Sequence, residues 1–230
     1  MTAAALKYPM WGHRKIAWLC RHEHRLAVAD TTCLRILREA GLTLPVDYVR
    51  ERRDLAGARR EAFVELPTRR NRVWQMDFFE LETSGGGTWR SGDVIDYATK
   101  LVLAGPVTPT QTARDAIASV QAALDRAEQL LGRPLVEDLI DAETGEIAPI
   151  FLVTDNGPCF KAAAFARFIA ARPELRHVRT RRRSPQTNGV IERYHGAIQI
   201  EHLWRALPAD GAEMTAQVEA FRQLYNTVRP

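Results

Sequence analysis

Cysteine is scarce in this chain and forms no framework. Cys20, Cys33 and Cys159 are odd in number and scattered over 230 residues, which excludes a disulfide scaffold. Cys20-x-His22-x-His24 followed by Cys33 has a metal-like look, but the CxxC and HxxxH pairs of a structural zinc site are absent, and Cys20 and Cys33 read better as residues of apolar helix faces. No apolar run approaches the roughly 20 residues that span a bilayer. The opening Met-Thr-Ala-Ala-Ala-Leu-Lys-Tyr-Pro lacks the long apolar core of a signal peptide. These absences predict a soluble cytoplasmic protein with no membrane partner. Hydrophobic content of 46% excludes global disorder, and the length accommodates one substantial domain with a small accessory module.

Acidic charge is short at one end. Residues 1–72 hold 15 Lys/Arg against 8 Asp/Glu, whereas residues 73–230 hold 17 against 20. A basic arm on a slightly acidic domain predicts a polyanionic partner for the arm. Within 1–44, residues 13–24 have Ile16, Leu19 and Cys20 at helical spacing, and Asp30 is a suitable N-cap for a second helix from Thr31 to Ala40, stopped by Gly41. Two short helices in succession follow the helix-turn-helix plan, with Arg35 and Arg38 on the outer side of the second. These arginines either contact DNA or are solvated on a packing helical pair. Residues 45–70 read as a basic linker, rich in arginine and broken by Pro45 and Pro67, which either follows a phosphate backbone or forms a solvated helix.

From residue 71 the pattern becomes α/β. Val73 to Leu81 predicts a central strand, Ser84-Gly-Gly-Gly-Thr88 a hairpin turn, and Trp89 to Asp96 and Lys100 to Val107 two further strands. A helix over 110–131, a small acidic hairpin within 132–149, a buried strand at Ile150–Thr154, a helix over 162–171, a short strand at 175–178 and a long helix from Asn188 to Trp204 follow. Residues 71–206 form the core on this reading, and 207–230 a C-terminal helix. The whole is a ribonuclease-H-like mixed five-stranded sheet with flanking helices, preceded by a small helical module.

Three acidic residues have distinctive settings: Asp77 in Val-Trp-Gln-Met-Asp-Phe-Phe, Asp155 closing Ile-Phe-Leu-Val-Thr-Asp ahead of Asn156-Gly157, and Glu192 after Ser184-Pro-Gln-Thr-Asn-Gly-Val-Ile. Carboxylates on strand cores and ends are costly to bury without a compensating cation. Converging, they make an all-oxygen site suited to Mg²⁺ or Mn²⁺. Each also has a local explanation: a strand-edge acceptor, a cap for the Asn-Gly turn, or a partner of the helix dipole.

The ordered set Trp74-x-x-Asp77, Thr154-Asp155-Asn156-Gly157 and Ser184-Pro185-Gln186-x-Asn188-Gly189-x-x-Glu192-Arg193 resembles the DDE catalytic domain of insertion-sequence transposases and retroviral integrases. Positions 156 to 191, 36 residues, separate the second Asp from the Glu, as the resemblance requires. His13-Arg14-Lys15-Ile16 and Leu37-Arg38-Glu39-Ala40-Gly41-Leu42 are similar to the segment ahead of that domain. The resemblance implies catalysis by Asp77, Asp155 and Glu192 with two Mg²⁺ or Mn²⁺ ions about 4 Å apart. It also implies double-stranded DNA partners (element ends and target), a homo-oligomer on DNA, and a prokaryotic, nucleoid-associated location. Arg181, Arg182 and Arg183, with Asn188, then adjoin the bound DNA.

Two departures stand out. The position seven residues after Glu192, where a Lys or Arg is common in the family, is Gln199, a neutral donor toward DNA. Tyr225-Asn226-Thr227-Val228-Arg229-Pro230 resembles the family's closing motif, which normally runs further. His195 and His202 read as surface residues. The competing functions are a nuclease that only nicks and a non-catalytic DNA-binding remnant.

Overall fold

The computed structural model describes residues 1–8, 11–43, 68–180 and 189–227. The expected arginine linker falls largely outside these residues, as do Arg181, Arg182, Arg183 and Asn188. The chain divides into two compact units, Met1–Ala56 and Gly57–Pro230.

Among the described residues, the first unit contains three short helices, α1 (Thr2–Lys7), α2 (His13–His22) and α3 (Asp30–Glu39). Ile16, Ala17 and Cys20 of α2 interlock with Cys33 and Leu37 of α3 and Ala5 of α1. Both cysteines are therefore small apolar core residues. The sequence did not anticipate α1, although Ala-Ala-Ala-Leu-Lys has strong helical propensity. The expected cap is corrected: Ala29 holds the N-cap position, and Asp30 lies in the first turn, where its carboxylate meets Arg21 at 2.8 Å. At the other end the chain turns through Gly41 at φ +67, and the Leu42 N–H closes back on the Leu37 carbonyl at 2.8 Å.

The second unit is built on a mixed sheet. Strands β1 (Val73–Glu82), β2 (Thr88–Asp96) and β3 (Val102–Ala104) run antiparallel, and β5 (Ile150–Thr154) and β6 (Leu175–Arg179) extend the other side of β1 in parallel. Their order is β3-β2-β1-β5-β6, and the two-residue strand β4 (Val107–Thr108) also pairs with β2. The single third strand expected from Lys100 to Val107 is thus broken, with Gly105-Pro106 between the halves, and the sheet has six strands where five were expected. Proline supplies no ladder donor, and a Cβ on Gly105 would lie 2.4 Å from Asp93 Oδ1.

Side-chain alternation sends the two sets of strand residues to opposite faces. Trp74, Met76, Val94, Ile150 and Leu152 pack on one face, covered by α4 (Ala113–Leu131), α6 (Pro158–Lys161) and α7 (Ala163–Ala170). Phe79, Leu81 and Ile95 pack on the other, beneath α8 (Gly189–Ile198) and α9 (Gly211–Thr227). Helix α4 begins with a full capping box between Thr112 and Asp115 and ends at Gly132 in the left-handed conformation. The long helix expected to reach Trp204 is α-helical only to Ile198, then widens into a π-helical turn over Gln199–Leu203.

The expected hairpin in 132–149 has a different form. A short helix, α5 (Leu135–Leu139), comes first, and a single antiparallel bridge joins Ile140 to Ile147 across a turn capped by Asp141. Its acidic residue Asp138 receives Arg70 at 2.9 Å and Arg133 at 2.8 Å. The Arg70 hydrogen bond, chiefly, holds the Asp138 carboxyl down at about 2. The insertion therefore clamps the entry to β1.

Candidate active site

Strand register decides where the acidic residues lie. In the parallel pair, Trp74 faces Leu152 and Gln75 faces Val153. Continuing that register for two residues places Asp77 beside Asp155, with both side chains on the face under α8. In the antiparallel pair, Asp77 is directly opposite Asp93. Three carboxylates from adjacent strands are thus aligned across one face of the sheet.

Backbone N–H groups orient two of them. Asp77 Oδ1 accepts from the Phe78 N–H at 2.9 Å, and Asp155 Oδ1 accepts from the Gly157 N–H at 2.8 Å. The turn-capping role considered for Asp155 therefore exists, and it occupies one oxygen only. The Asn156 side chain donates to the Thr180 carbonyl, tying the ends of β5 and β6 together. Burial raises the Asp77 carboxyl to about 6, assisted by the nearby charges of Asp155 and Asp93 and opposed by His195 and the Phe78 N–H.

Helix α8 is fixed over this face by a side chain of β1. Gln75, fully buried, accepts the Ile191 N–H on Oε1 at 3.0 Å. Ile191 is the third residue of the helix, so Gln75 satisfies one of its first-turn donors. Glu192 follows immediately, exposed in that same first turn. Among the described residues no three His, Cys, Asp or Glu side chains are gathered closely enough to hold a metal ion. The structure brings the two aspartates together and puts Glu192 on the covering helix, without closing it onto them.

His195 is a correction to the sequence reading. It is buried, its ring meets Phe79 edge-on at 5.0 Å, and Nε2 lies 3.0 Å from Asp93 Oδ2. That approach is not aligned as a hydrogen bond, since neither atom has a hydrogen-bond partner. The other Asp93 oxygen accepts from the Ser91 hydroxyl at 3.0 Å. Asp93 went unremarked in the sequence because its partner is 102 positions away; its place opposite Asp77 was the available signal. His202, in the π-helical turn, packs toward α9, its ring 5.6 Å from that of Phe221.

The remaining candidates are dispersed. Gln199 is half-buried in the π-helical turn. Arg35 and Arg38 are exposed on α3, and Arg35 pairs with Glu39 at 2.9 Å.

Comparison with known proteins bears on this arrangement. An integrase core domain model matches residues 67–185, and a second integrase core domain model matches residues 174–230. The InsD transposase of insertion element IS2A/D/F/H/I/K from Escherichia coli is 24% identical over 229 residues, covering 96% of this chain and 69% of its own. Among solved structures, a chain of the simian T-cell lymphotropic virus intasome in complex with PP2A regulatory subunit B56 gamma superposes with a TM-score of 0.53 at 20% identity. That match covers 72% of this chain, which spans about half (51%) of the matched one.

Proposed function

Since the chain belongs to the integrase core domain family, and is a polynucleotidyl transferase of the transposase and integrase type, we propose that it cuts the ends of a mobile DNA element and joins them to target DNA, with Asp77, Asp155 and Glu192 as its catalytic carboxylates. The observation that carries this reading is the strand register. It sets Asp77 beside Asp155 on the face that α8 covers, and α8 is docked there by the Gln75–Ile191 bond one residue before Glu192.

The donor set suits a hard divalent ion. It is all oxygen, burial leaves the Asp77 carboxylate short of solvation, and each aspartate has its Oδ1 held by a backbone amide. Two Mg²⁺ or Mn²⁺ ions held by Asp77, Asp155 and Glu192 would supply charge stabilisation for in-line displacement at phosphorus. The protein's own contribution is placement. The sheet fixes the aspartates, and α8 brings Glu192 over them when DNA is bound. In the cutting step a water oxygen bonds to phosphorus, the bond from phosphorus to the 3′-oxygen breaks, and that oxygen leaves as a hydroxyl. In the joining step the freed 3′-hydroxyl attacks a target phosphorus, one phosphodiester bond replaces another, and a target 3′-hydroxyl is released. No covalent enzyme intermediate is required. Double-stranded DNA is the substrate, and the working form is a homo-oligomer that holds two ends. Arg181, Arg182, Arg183 and Asn188, which precede α8 in the chain, and Gln199 on its continuation are assigned to the DNA path.

The test is strand transfer on labelled oligonucleotide ends with Mg²⁺ or Mn²⁺. Joined products are expected, and Asp77→Asn, Asp155→Asn and Glu192→Gln should each abolish them while DNA binding persists. Nicks without joining would reduce the activity to that of a nuclease. Retained turnover in any of the three variants would refute the site assignment.

A further inference from the structure

The helical unit carries a groove that the reading above does not use. Trp11, Arg14, Lys15 and Trp18 recur at intervals of three, four and seven, which places them along one side of α2 and its lead-in. The opposite side, with Ile16 and Cys20, is buried in the unit's core. These four residues line an open groove of 450 Å³ with an aromatic ring toward each end and two cations between.

Both indoles are braced. Trp11 stacks on Tyr8 at 4.4 Å between ring centroids, and Trp18 stacks on His22 at 4.4 Å. His22 Nδ1 also lies 3.0 Å from the Trp18 carbonyl oxygen. Trp18 is nonetheless 50% exposed, a large apolar face left open to solvent beside positive charge. Helix α2 contains no acidic residue, whereas α3 carries Asp30 and Glu39 and its Arg35 is already paired.

We infer that this groove is a binding site for unpaired DNA bases, the indoles stacking on base faces while Arg14 and Lys15 meet the flanking phosphates. Stacked aromatics interleaved with cations are the chemistry of single-strand recognition, because every base offers a π-face and every linkage a negative charge. A duplex backbone alone would use the cations and leave the indoles without purpose. The inference rests on the reading that this chain acts on DNA, and it moves the principal contact of the unit from the α3 arginines to α2. A cut strand leaves a duplex end whose terminal base pairs can open, which supplies the occupant.

The experiment uses the full chain, a short labelled oligodeoxythymidine and a blunt duplex of mixed sequence. Fluorescence anisotropy reports affinity and tryptophan quenching reports stacking. Trp18→Ala should weaken binding of the single strand by about 5- to 100-fold, and Trp18→Phe should restore most of it. Arg14→Ala with Lys15→Ala should lower the slope of log affinity against log salt by about 1.4. Arg35→Ala with Arg38→Ala should leave single-strand affinity within about twofold of wild type, the expected experimental scatter. Unchanged circular dichroism would confirm that the exposed substitutions leave the helices intact. Wild-type affinity in both α2 variants would overturn the inference. So would a Trp18→Ala protein that loses self-association in sedimentation but binds the single strand normally, which would identify the occupant as a second copy of the chain. Failure of the catalytic reading would register separately, as absence of joining by a wild-type protein that still binds the oligonucleotide.

Discussion

Replacing Gln75 by Leu should damage both stability and catalysis, because it removes the acceptor that docks α8. Gln75 is fully buried on β1, and its Oε1 accepts the Ile191 N–H at 3.0 Å. Leucine has nearly the same volume, so the change removes the acceptor with little effect on packing. The Ile191 N–H is then buried without that partner, at a cost of about 1–3 kcal/mol. For a unit of this size each kcal/mol lowers the melting temperature by about 2–4 °C, which gives a loss of about 2–12 °C. The catalytic effect should exceed the stability effect. Glu192 is the next residue, and small displacements of a catalytic group reduce rates by up to about 100-fold. The assay pairs thermal unfolding with strand transfer below the melting range of both proteins, alongside DNA affinity. Lower melting temperature, joined product reduced about tenfold or more, and unchanged DNA affinity are expected. A variant melting within about 1 °C of wild type with full joining activity would refute the claim that Gln75 anchors α8 over the aspartates.

Other consequences are equally open to measurement. Asp77 has its carboxyl raised to about 6, so below that pH a proton must leave before a cation can bind. Mn²⁺ affinity of the DNA-free protein should therefore fall by roughly tenfold per pH unit below about 6, whereas an unperturbed aspartate would preserve it to about 4; pH-independent affinity between 4 and 6 would contradict this. Burial lowers the His177 imidazole to about 4, with Arg179 adding to the shift. Its folded value is depressed, so the unfolded chain binds the proton more readily, and stability present above about 6.5 is lost as pH falls toward 4 by up to about 3 kcal/mol. Denaturant midpoints across that range should show the slope, and His177→Gln should flatten it. Gly105→Ala would drive a methyl group to 2.4 Å from Asp93 Oδ1 and 3.3 Å from Val218 Cγ1. It should destabilise the protein by about 1–3 kcal/mol in the same denaturation assay, and an unchanged midpoint would show that Asp93 moves freely.

Much of the fold was legible because its signals are local. The apolar run Val-Trp-Gln-Met-Asp-Phe-Phe in β1, and a nearly all-apolar β5, identified the strands beside which the aspartates lie. Asp77, Asp155 and Glu192 stood out through their flanking motifs, while the matches over 67–185 and 174–230 bear on the family alone. What escaped notice depends on tertiary contact. No periodicity in Gly92-Asp93-Val94 signals that this carboxylate will meet His195, because the meeting is created by the docking of α8 on the sheet. Asp30 resembled a cap by composition, yet an arginine nine residues earlier in the chain attracted its carboxylate once α2 and α3 packed. The third strand divided where Gly105-Pro106 removed a donor and admitted Asp93. The π-helical turn at Gln199–Leu203 likewise has no signature in residue type.

Anomalous scattering from Mn²⁺ in crystals of the protein bound to an element-end DNA tests the central claim most directly. Ions held by Asp77, Asp155 and Glu192 together are the predicted result. A complex competent for joining whose manganese lies away from these carboxylates, or whose Glu192 still faces solvent, would contradict it.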